Sequence, residues 1–196
     1  MPQVVLGGVT HARGLAPSTS GSMNNSAALQ AFIDAQSGPS HALVRVTTAG
    51  PFDITVDDPT MLIKVSGQTD LTVRGRCVVS AGEQARVSAY GSVVVQVREG
   101  ATCVLHDTCV GQGGDRGSLV VHDRGRATVT GQATVRGFDA ATLSARQKAT
   151  VFAHESSSVQ AFDEAVVHAQ GRSRVTLTGQ GVTLGVADEA QVRRLG

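Results

Sequence analysis

From Met61 to the C-terminus, apolar residues recur with a period of eight, at two positions separated by one residue. In octads counted from Met61, the third position is mostly Val, Leu or Ile and the fifth is mostly Ala, Val or Leu. Such alternation is typical of a strand with one buried face, whereas a helix would place these two positions on different sides. The pattern therefore predicts one short strand per octad, without insertion or deletion to the C-terminus.

The seventh position of the octads supplies the corners between these strands. It is mostly Gly or Asp, residues that suit tight turns, as at Gly67, Gly91, Asp107, Asp123 and Asp139. A unit of one strand and one corner has no core of its own and becomes stable only by stacking on its neighbours. The sequence thus predicts an all-β protein, a single-chain parallel β-solenoid.

The fourth position indicates how many octads form one coil. At a spacing of 16 residues it separates into a polar, uncharged column (Ser80, Gln96, Gln112, Thr128, Ser144, Gln160, Thr176) and a mixed column (Ser88, Val104, Val120, Arg136, Phe152, His168, Leu184). Large and small residues also alternate at position 5, where Leu105 precedes Gly113 and Leu177 precedes Gly185. A two-sided coil of 16 residues is favoured. A three-sided coil of 24 residues is the alternative, because it aligns Tyr90, Phe138 and Phe162.

The segment before the octads differs in composition and predicts three regions. Residues 1–22 are expected to form a flexible arm, residues 23–60 a capping helix with lead-in strands, and residues 61–196 the solenoid. Asn24, Asn25 and Ser26 offer helix N-caps, an apolar stripe of Ala28, Leu29, Phe32 and Ile33 follows, and Gly38-Pro39 is expected to end the helix. At the other end, Glu189, Gln191 and Arg193 fall at inward positions, so charge is expected to protect the C-terminal edge.

Composition narrows the classes of function. The chain has 196 residues, 41% of them hydrophobic, with 23 Gly and 3% aromatic residues, which fits a thin core of small side chains. With a net charge of +1 and scattered Arg residues, the sequence does not predict the basic patch by which proteins bind nucleic acid. No apolar run reaches membrane-spanning length and no signal peptide precedes the repeat, so a cytoplasmic protein is expected, or a virion-associated one if phage-encoded. Cys77, Cys103 and Cys109 are predicted to be buried free thiols.

Candidate chemistry is sparse. Uniformly short corners cannot enclose a substrate, so neither catalytic residues nor a cofactor are predicted. His106, His122, Phe138 and His154 precede Asp107, Asp123, Asp139 and Glu155, and His and carboxylate are metal ligands. Neighbouring side chains on a strand diverge and Phe138 interrupts the column, so no metal is predicted. The run 111–117 contains four Gly and predicts a thin coil or a bulge.

Three octads carry a resemblance to a known group of repeats. Residues 133–140 (ATVRGFDA), 149–156 (ATVFAHES) and 85–92 (ARVSAYGS) resemble uncharacterised bacterial and bacteriophage octapeptide-repeat proteins with the unit Ala-Thr-Val-x-Ala-Tyr-Gly/Asp-x. The resemblance covers about the last two thirds of the chain. It implies a β-solenoid and, for some members, a phage or mobile-element origin, but it implies no activity.

These observations favour a non-enzymatic structural or protein-interaction module that binds a protein partner or itself. The expected docking surface is the mixed column with the neighbouring corner: Val104, Val120, Phe152, Leu184, His106, His122, Phe138 and His154. The alternative is an inhibitor of a host enzyme or defence complex. Ice binding is a further alternative, based on Thr102, Thr134 and Thr150 with Ser118 at position 2, and carbohydrate binding would rely on a few exposed aromatic residues.

Overall fold

The structure is a computed structural model that describes residues 3–6, 9–12, 25–36 and 42–195. It is a parallel β-solenoid of about ten turns with a 16-residue repeat and one short helix near the N-terminus. The predicted fold class and the two-sided coil are therefore confirmed, and the 24-residue coil is wrong. The helix α1 spans Ser26–Gln36 and the strands are β1 Gln3–Leu6, β2 Val9–Ala12, β3 Leu43–Val46, β4 Gly50–Val65, β5 Thr69–Ala81, β6 Arg86–Gly91, β7 Val94–Val97, β8 Thr102–Leu105, β9 Val110–Gly113, β10 Ser118–Val121, β11 Arg126–Val129, β12 Thr134–Gly137, β13 Thr142–Ala145, β14 Thr150–Ala153, β15 Ser158–Phe162, β16 Val166–Ala169, β17 Arg174–Thr178, β18 Thr183–Val186 and β19 Gln191–Leu195.

Successive strands alternate between two sheets that face each other across the core. The first sheet contains β3, the later halves of β4 and β5, and the odd-numbered strands from β7 to β19. The second sheet contains the earlier halves of β4 and β5 and the even-numbered strands from β6 to β18. Val135 lies beside Val151 on the next coil, as the 16-residue spacing predicts. The polar column from Ser80 to Thr176 runs unbroken along the first sheet.

The core is filled by opposing residues of unequal size. A Cβ added at Gly111 would lie 2.6 Å from Leu105 Cδ1 and 2.9 Å from Leu119 Cδ2. One added at Gly137 would lie 2.6 Å from Leu143 Cδ1. The leucine side chains thus occupy the space that these glycines leave open, at the close packing expected of a protein interior. The predicted bulge at residues 111–117 is wrong, because β9 pairs in regular register with both neighbours.

Helix α1 closes the N-terminal end of the second sheet. Asn25 caps it by accepting a hydrogen bond from the Ala28 N–H at 2.9 Å, and Leu29 and Ile33 are buried in the core. The Ser26 hydroxyl accepts from the Asp53 N–H at 2.8 Å. The Gln30 amide accepts from the Thr55 N–H at 2.7 Å and donates to the Thr55 carbonyl at 2.8 Å. Two side chains one helical turn apart therefore pair the edge of β4 as another strand would.

The segment before the helix contains two short strands within the predicted arm. β1 and β2 pair antiparallel with each other, and β2 pairs antiparallel with β3. The rest of the predicted arm and the predicted stop at Gly38-Pro39 lie outside the described residues. The expected lead-in strands correspond to β3 and the start of β4.

Several corners are closed by a side chain from the following coil. Asp107, Asp123 and Asp139 have φ values of 56°, 57° and 54°, in the left-handed region that Asp tolerates better than most residues. The Asp107 N–H donates to Asp123 Oδ2 at 3.0 Å, the Asp123 N–H to Asp139 Oδ2 at 3.0 Å, and the Asp139 N–H to Glu155 Oε2 at 2.6 Å. These carboxylates are thus acceptors for backbone groups that the turn leaves unpaired.

The last coil departs from the octad register. Phe162 pairs with Thr178 at a spacing of 16, but Val166 pairs with Thr183 at a spacing of 17. One extra residue lies between Thr178 and Thr183, so the prediction of no insertion to the C-terminus is wrong. The shift reverses the orientation of every later residue, because side chains alternate between the two faces of a strand.

Three expectations about the C-terminal end change with this shift. Leu184 continues the inward column of Val167, and Gly185 continues the outward column of His168. The predicted pairing of Leu177 with Gly185 across the core is therefore wrong. Glu189, Gln191 and Arg193 do not occupy inward positions either, since Val192 follows Val175 and Arg194 follows Leu177.

Candidate interaction surfaces

A ladder of stacked rings runs along one corner of the solenoid. Tyr90, His106, His122, Phe138 and His154 lie on five successive coils, with ring centroids 4.4, 5.0, 5.0 and 4.7 Å apart and interplanar angles of 1 to 11°. The Arg74 guanidinium lies over the Tyr90 ring, 5.3 Å from its centroid, and is also paired with Asp53. The structure therefore brings together the four predicted corner residues and adds Tyr90, whose place a 16-residue column would have shown.

The ring ladder stabilises neighbouring coils and leaves few ring faces for a ligand. Each inner ring has a neighbour on both faces, so only ring edges reach the solvent. Carbohydrate binding by stacking needs a free aromatic face, and none of the inner rings offers one. His106 Nδ1 lies 3.9 Å from Asp123 Oδ2 and His122 Nδ1 lies 3.8 Å from Asp139 Oδ2. Those carboxylates already accept backbone hydrogen bonds, and within the described chain no group of three or more His, Cys, Asp or Glu is placed to hold a metal ion.

The mixed column on the second sheet forms two separate units. Val104 and Val120 are neighbours and half-buried. Arg136 follows, with its guanidinium 5.5 Å from the Phe152 ring centroid, and His168 stacks on the other face of Phe152 at 4.9 Å. Leu184, the fourth apolar member predicted for this surface, packs against the core instead. Beside this column, Thr102, Ser118, Thr134 and Thr150 align, but their partners at position 4 include Val104 and Arg136, so the two-row array expected for ice binding is absent from this sheet.

A longer apolar row lies on the first sheet, where no docking surface is predicted. Its members are outward-facing neighbours on five successive strands, and we call them the valine stripe: Leu43, Leu62, Val78, Val94 and Val110. The first four are half-buried and Val110 is 36% exposed. The stripe is roughly 20 Å long at the usual spacing between strands. Arg126 follows Val110 and ends it. Position 2 of the octads, read at 16-residue spacing, would have revealed this row.

At the C-terminal end, apolar side chains are exposed on two strands that, among the described residues, are paired on one side only. Val186, Val192 and Leu195 are 49%, 41% and 39% exposed, and they lie on β18 and β19, the last strand of each sheet. The prediction that inward-facing Glu189, Gln191 and Arg193 protect this edge is wrong, because the extra residue before β18 moves them away from inward positions. Arg194 is the one charged residue at an inward position of the last coil.

The three cysteines are buried and free, as predicted. Burial raises the pKa of the Cys77 thiol to about 12, with smaller contributions from Cys109 and Asp58. Burial also raises the pKa values of Cys103 and Cys109. Because the thiolate is the reactive form, none of the three has the environment of a nucleophile.

The main surface depressions of the described chain lie at corners and between neighbouring strands. One is lined by Gly50, Gln68, Asp70 and Arg86, and another by Glu155, Ser156, Gly171 and Arg172. Neither these two nor three others contain His or Cys, and none of the five has more than one acidic residue in its lining. Paired carboxylates or a nucleophile with a base, the usual catalytic pairs, are not found there.

Comparison with known proteins does not assign a family. The chain matches no protein-family model, no curated protein and no solved structure. Among the described residues, no helix has the length and apolar character that crossing a membrane requires.

Proposed function

We propose that this protein is a non-enzymatic structural and interaction module, a rigid rod that binds a protein partner along one flat side. The observation that carries this proposal is the valine stripe, five aliphatic side chains aligned on the surface of a regular sheet. Isolated exposed aliphatic residues are ordinary, but a contiguous row usually marks an interaction surface.

The construction of the corners supports a binding role over a catalytic one. The corners are short, and several are fastened to the next coil by a side-chain hydrogen bond, as at Asp107 and Asp123. Active sites are commonly built on longer loops that a rigid scaffold positions. A surface made of aligned columns instead suits a partner that lies along the rod.

The first sheet suits this partner better than the second sheet, on which docking residues are predicted. The valine stripe continues over five strands without a charged member, whereas the apolar run on the second sheet has only Val104 and Val120 before Arg136. Lys64, Ser80, Gln96 and Gln112 flank the stripe in the adjacent column and can form hydrogen bonds at its rim. The octapeptide resemblance makes a virion or a phage-infected cell the proposed setting.

Site-specific photo-crosslinking in the cells that make the protein tests this proposal. A photoreactive phenylalanine analogue at Val94 is expected to form one discrete adduct with a different protein. The matched control is the same analogue at Thr142, which continues the same outward row two coils beyond Val110, where the row is no longer apolar. No adduct is expected there.

A third variant distinguishes the two sheets. The analogue at Val120 samples the surface predicted from the mixed column. An adduct from Val120 alone would move the partner to the second sheet and overturn the choice of face. The absence of an adduct at both Val94 and Val120 would contradict the interaction role itself.

A further inference from the structure

The two ends of the solenoid differ in whether their strand edges are covered. At the N-terminal end, the edge of β4 has its backbone groups paired by Ser26 and Gln30 of α1. At the C-terminal end, the strand edges of β18 and β19 have no such cover within the described residues. Unpaired strand edges next to exposed apolar side chains readily accept another strand.

The hydrogen-bond pattern shows which groups are free at this end. The outward-facing Thr183 and Gln191 donate back to the preceding coil, to the carbonyls of Ala165 and Ser173, at 3.0 and 2.9 Å. In a strand, alternate residues direct their N–H and C=O to opposite sides. The free edge is therefore formed by the inward-facing residues, Leu184 and Val186 on β18 and Val192 on β19.

We propose that two copies of this chain pair end to end through these C-terminal edges, related by a two-fold axis. Head-to-tail stacking does not continue both sheets, because α1 already occupies the N-terminal edge of the second sheet. A two-fold axis perpendicular to the sheets brings each last strand against its own copy in antiparallel orientation. Interfaces of this kind, in which one patch meets itself, are the commonest in homo-oligomers.

One register satisfies both strands at once. With the axis through Val192 in the first sheet and Gly185 in the second, Val192 lies opposite Val192 of the second copy and Leu184 lies opposite Val186. All of these are free-edge residues, so their backbone groups face one another. The same register brings the acidic corner at Asp188 and Glu189 close to Arg194 of the second copy. The contact is thus apolar around Val192 and Leu184, and it places the inward-facing Arg194 of each copy near the acidic corner of the other.

Light scattering after size-exclusion chromatography tests this pairing. The full chain is expected to elute with twice the mass of one chain across micromolar concentrations. Val192→Lys is expected to halve that mass, because it places two lysines against each other on the axis. Thr142→Lys is the control: it adds the same charge to an exposed outward-facing residue on the side of the rod, outside the valine stripe, and the mass is expected to stay doubled.

A charge exchange separates loss of pairing from loss of folding. Val192→Glu alone is also expected to give a single-chain mass. An equimolar mixture of Val192→Lys and Val192→Glu is expected to recover the doubled mass as a heterodimer. The proposal is overturned if the full chain has a single-chain mass, if Val192→Lys stays paired, or if the mixture does not recombine. Because none of these variants touches the valine stripe, the crosslink at Val94 remains an independent result.

Discussion

At the scale of single residues, the position in the octad determines what a side chain does. The acidic residues at position 7 illustrate this, because Asp123 adopts a turn conformation itself and accepts the N–H of Asp107 from the preceding coil. Gln147 does the same on the opposite corner, where its amide oxygen accepts from the Gly131 N–H at 2.8 Å. Both corners therefore need a side-chain acceptor long enough to reach the N–H of the preceding coil, and the acceptor need not be negatively charged.

Glycines in the core are expected to be as constrained as the leucines they face. Gly137→Ala places a Cβ 2.6 Å from Leu143 Cδ1, and Leu143 is fully buried and has little room to move. The free energy of unfolding is expected to fall by about 1–3 kcal/mol, the usual cost of overpacking. Gly114→Ala is the control, because its nearest neighbour would be Thr130 Oγ1 at 3.9 Å. Urea unfolding of both variants measures the difference, and equal midpoints would contradict the tight fit.

Much of this residue-level structure could be predicted from the sequence, since the period of eight identifies inward, outward and corner positions directly. The polar column and the inward position of Val135 and Val151 are confirmed. The carboxylate acceptors could not be predicted, because the sequence does not distinguish a residue that only forms the turn from one whose side chain also accepts a hydrogen bond from the preceding coil. The role of Gly111 depends on leucines across the core, which a single octad does not contain.

At the scale of elements, the extra residue before β18 decides which face of the last coil is apolar. If the same sequence kept the 16-residue spacing, Thr183 and Gly185 would point inward and Leu184 would point to the solvent. With the extra residue, Val182 is buried and Leu184 packs against the core. The sequence signals the shift, since Leu184, Val186 and Val192 each fall one residue after an inward position of the octad count, and those positions hold polar residues or Gly.

Deleting Gln180 is expected to leave the last coil in register. The deletion gives Val167 and Leu184 the 16-residue separation of the other coils, so Val182, Leu184 and Val186 keep their inward positions without the extra residue. Hydrogen exchange followed by mass spectrometry should show protection over residues 183–195 at least equal to that of the parent. Gln180→Gly preserves the length and is also expected to keep the parent's protection. Loss of protection in the deletion variant alone would mean that the extra residue is needed to hold the last coil.

At the scale of the whole molecule, stability is expected to be distributed along the rod. In a solenoid each coil contacts only its neighbours, so stability is close to a sum of coils and interfaces. The N-terminal end gains α1, with Leu29 and Ile33 in the core, whereas the last coil has a neighbour on one side only. Local opening should therefore begin at β18 and β19.

Hydrogen exchange on the Val192→Lys variant, in which the ends are expected to be unpaired, measures this gradient. Amide protection should be greatest between β5 and β12 and should decline toward β19, because opening of the last coil exposes the next one. A uniform rate across all coils would indicate a single cooperative unit and contradict this expectation.

The one-way direction of the corner hydrogen bonds has a consequence for how the protein is made. Several corner N–H groups, such as that of Asp107, donate to a side chain 16 positions later, and outward-facing strand N–H groups such as that of Thr183 donate to a carbonyl of the coil before. During synthesis the N-terminal helix and the first coils leave the ribosome first. Each newly emerged coil then pairs with a coil that is already formed, and several coils also complete the turn of the preceding one. Translation can therefore assemble this rod progressively, with no need to wait for distant segments of the chain.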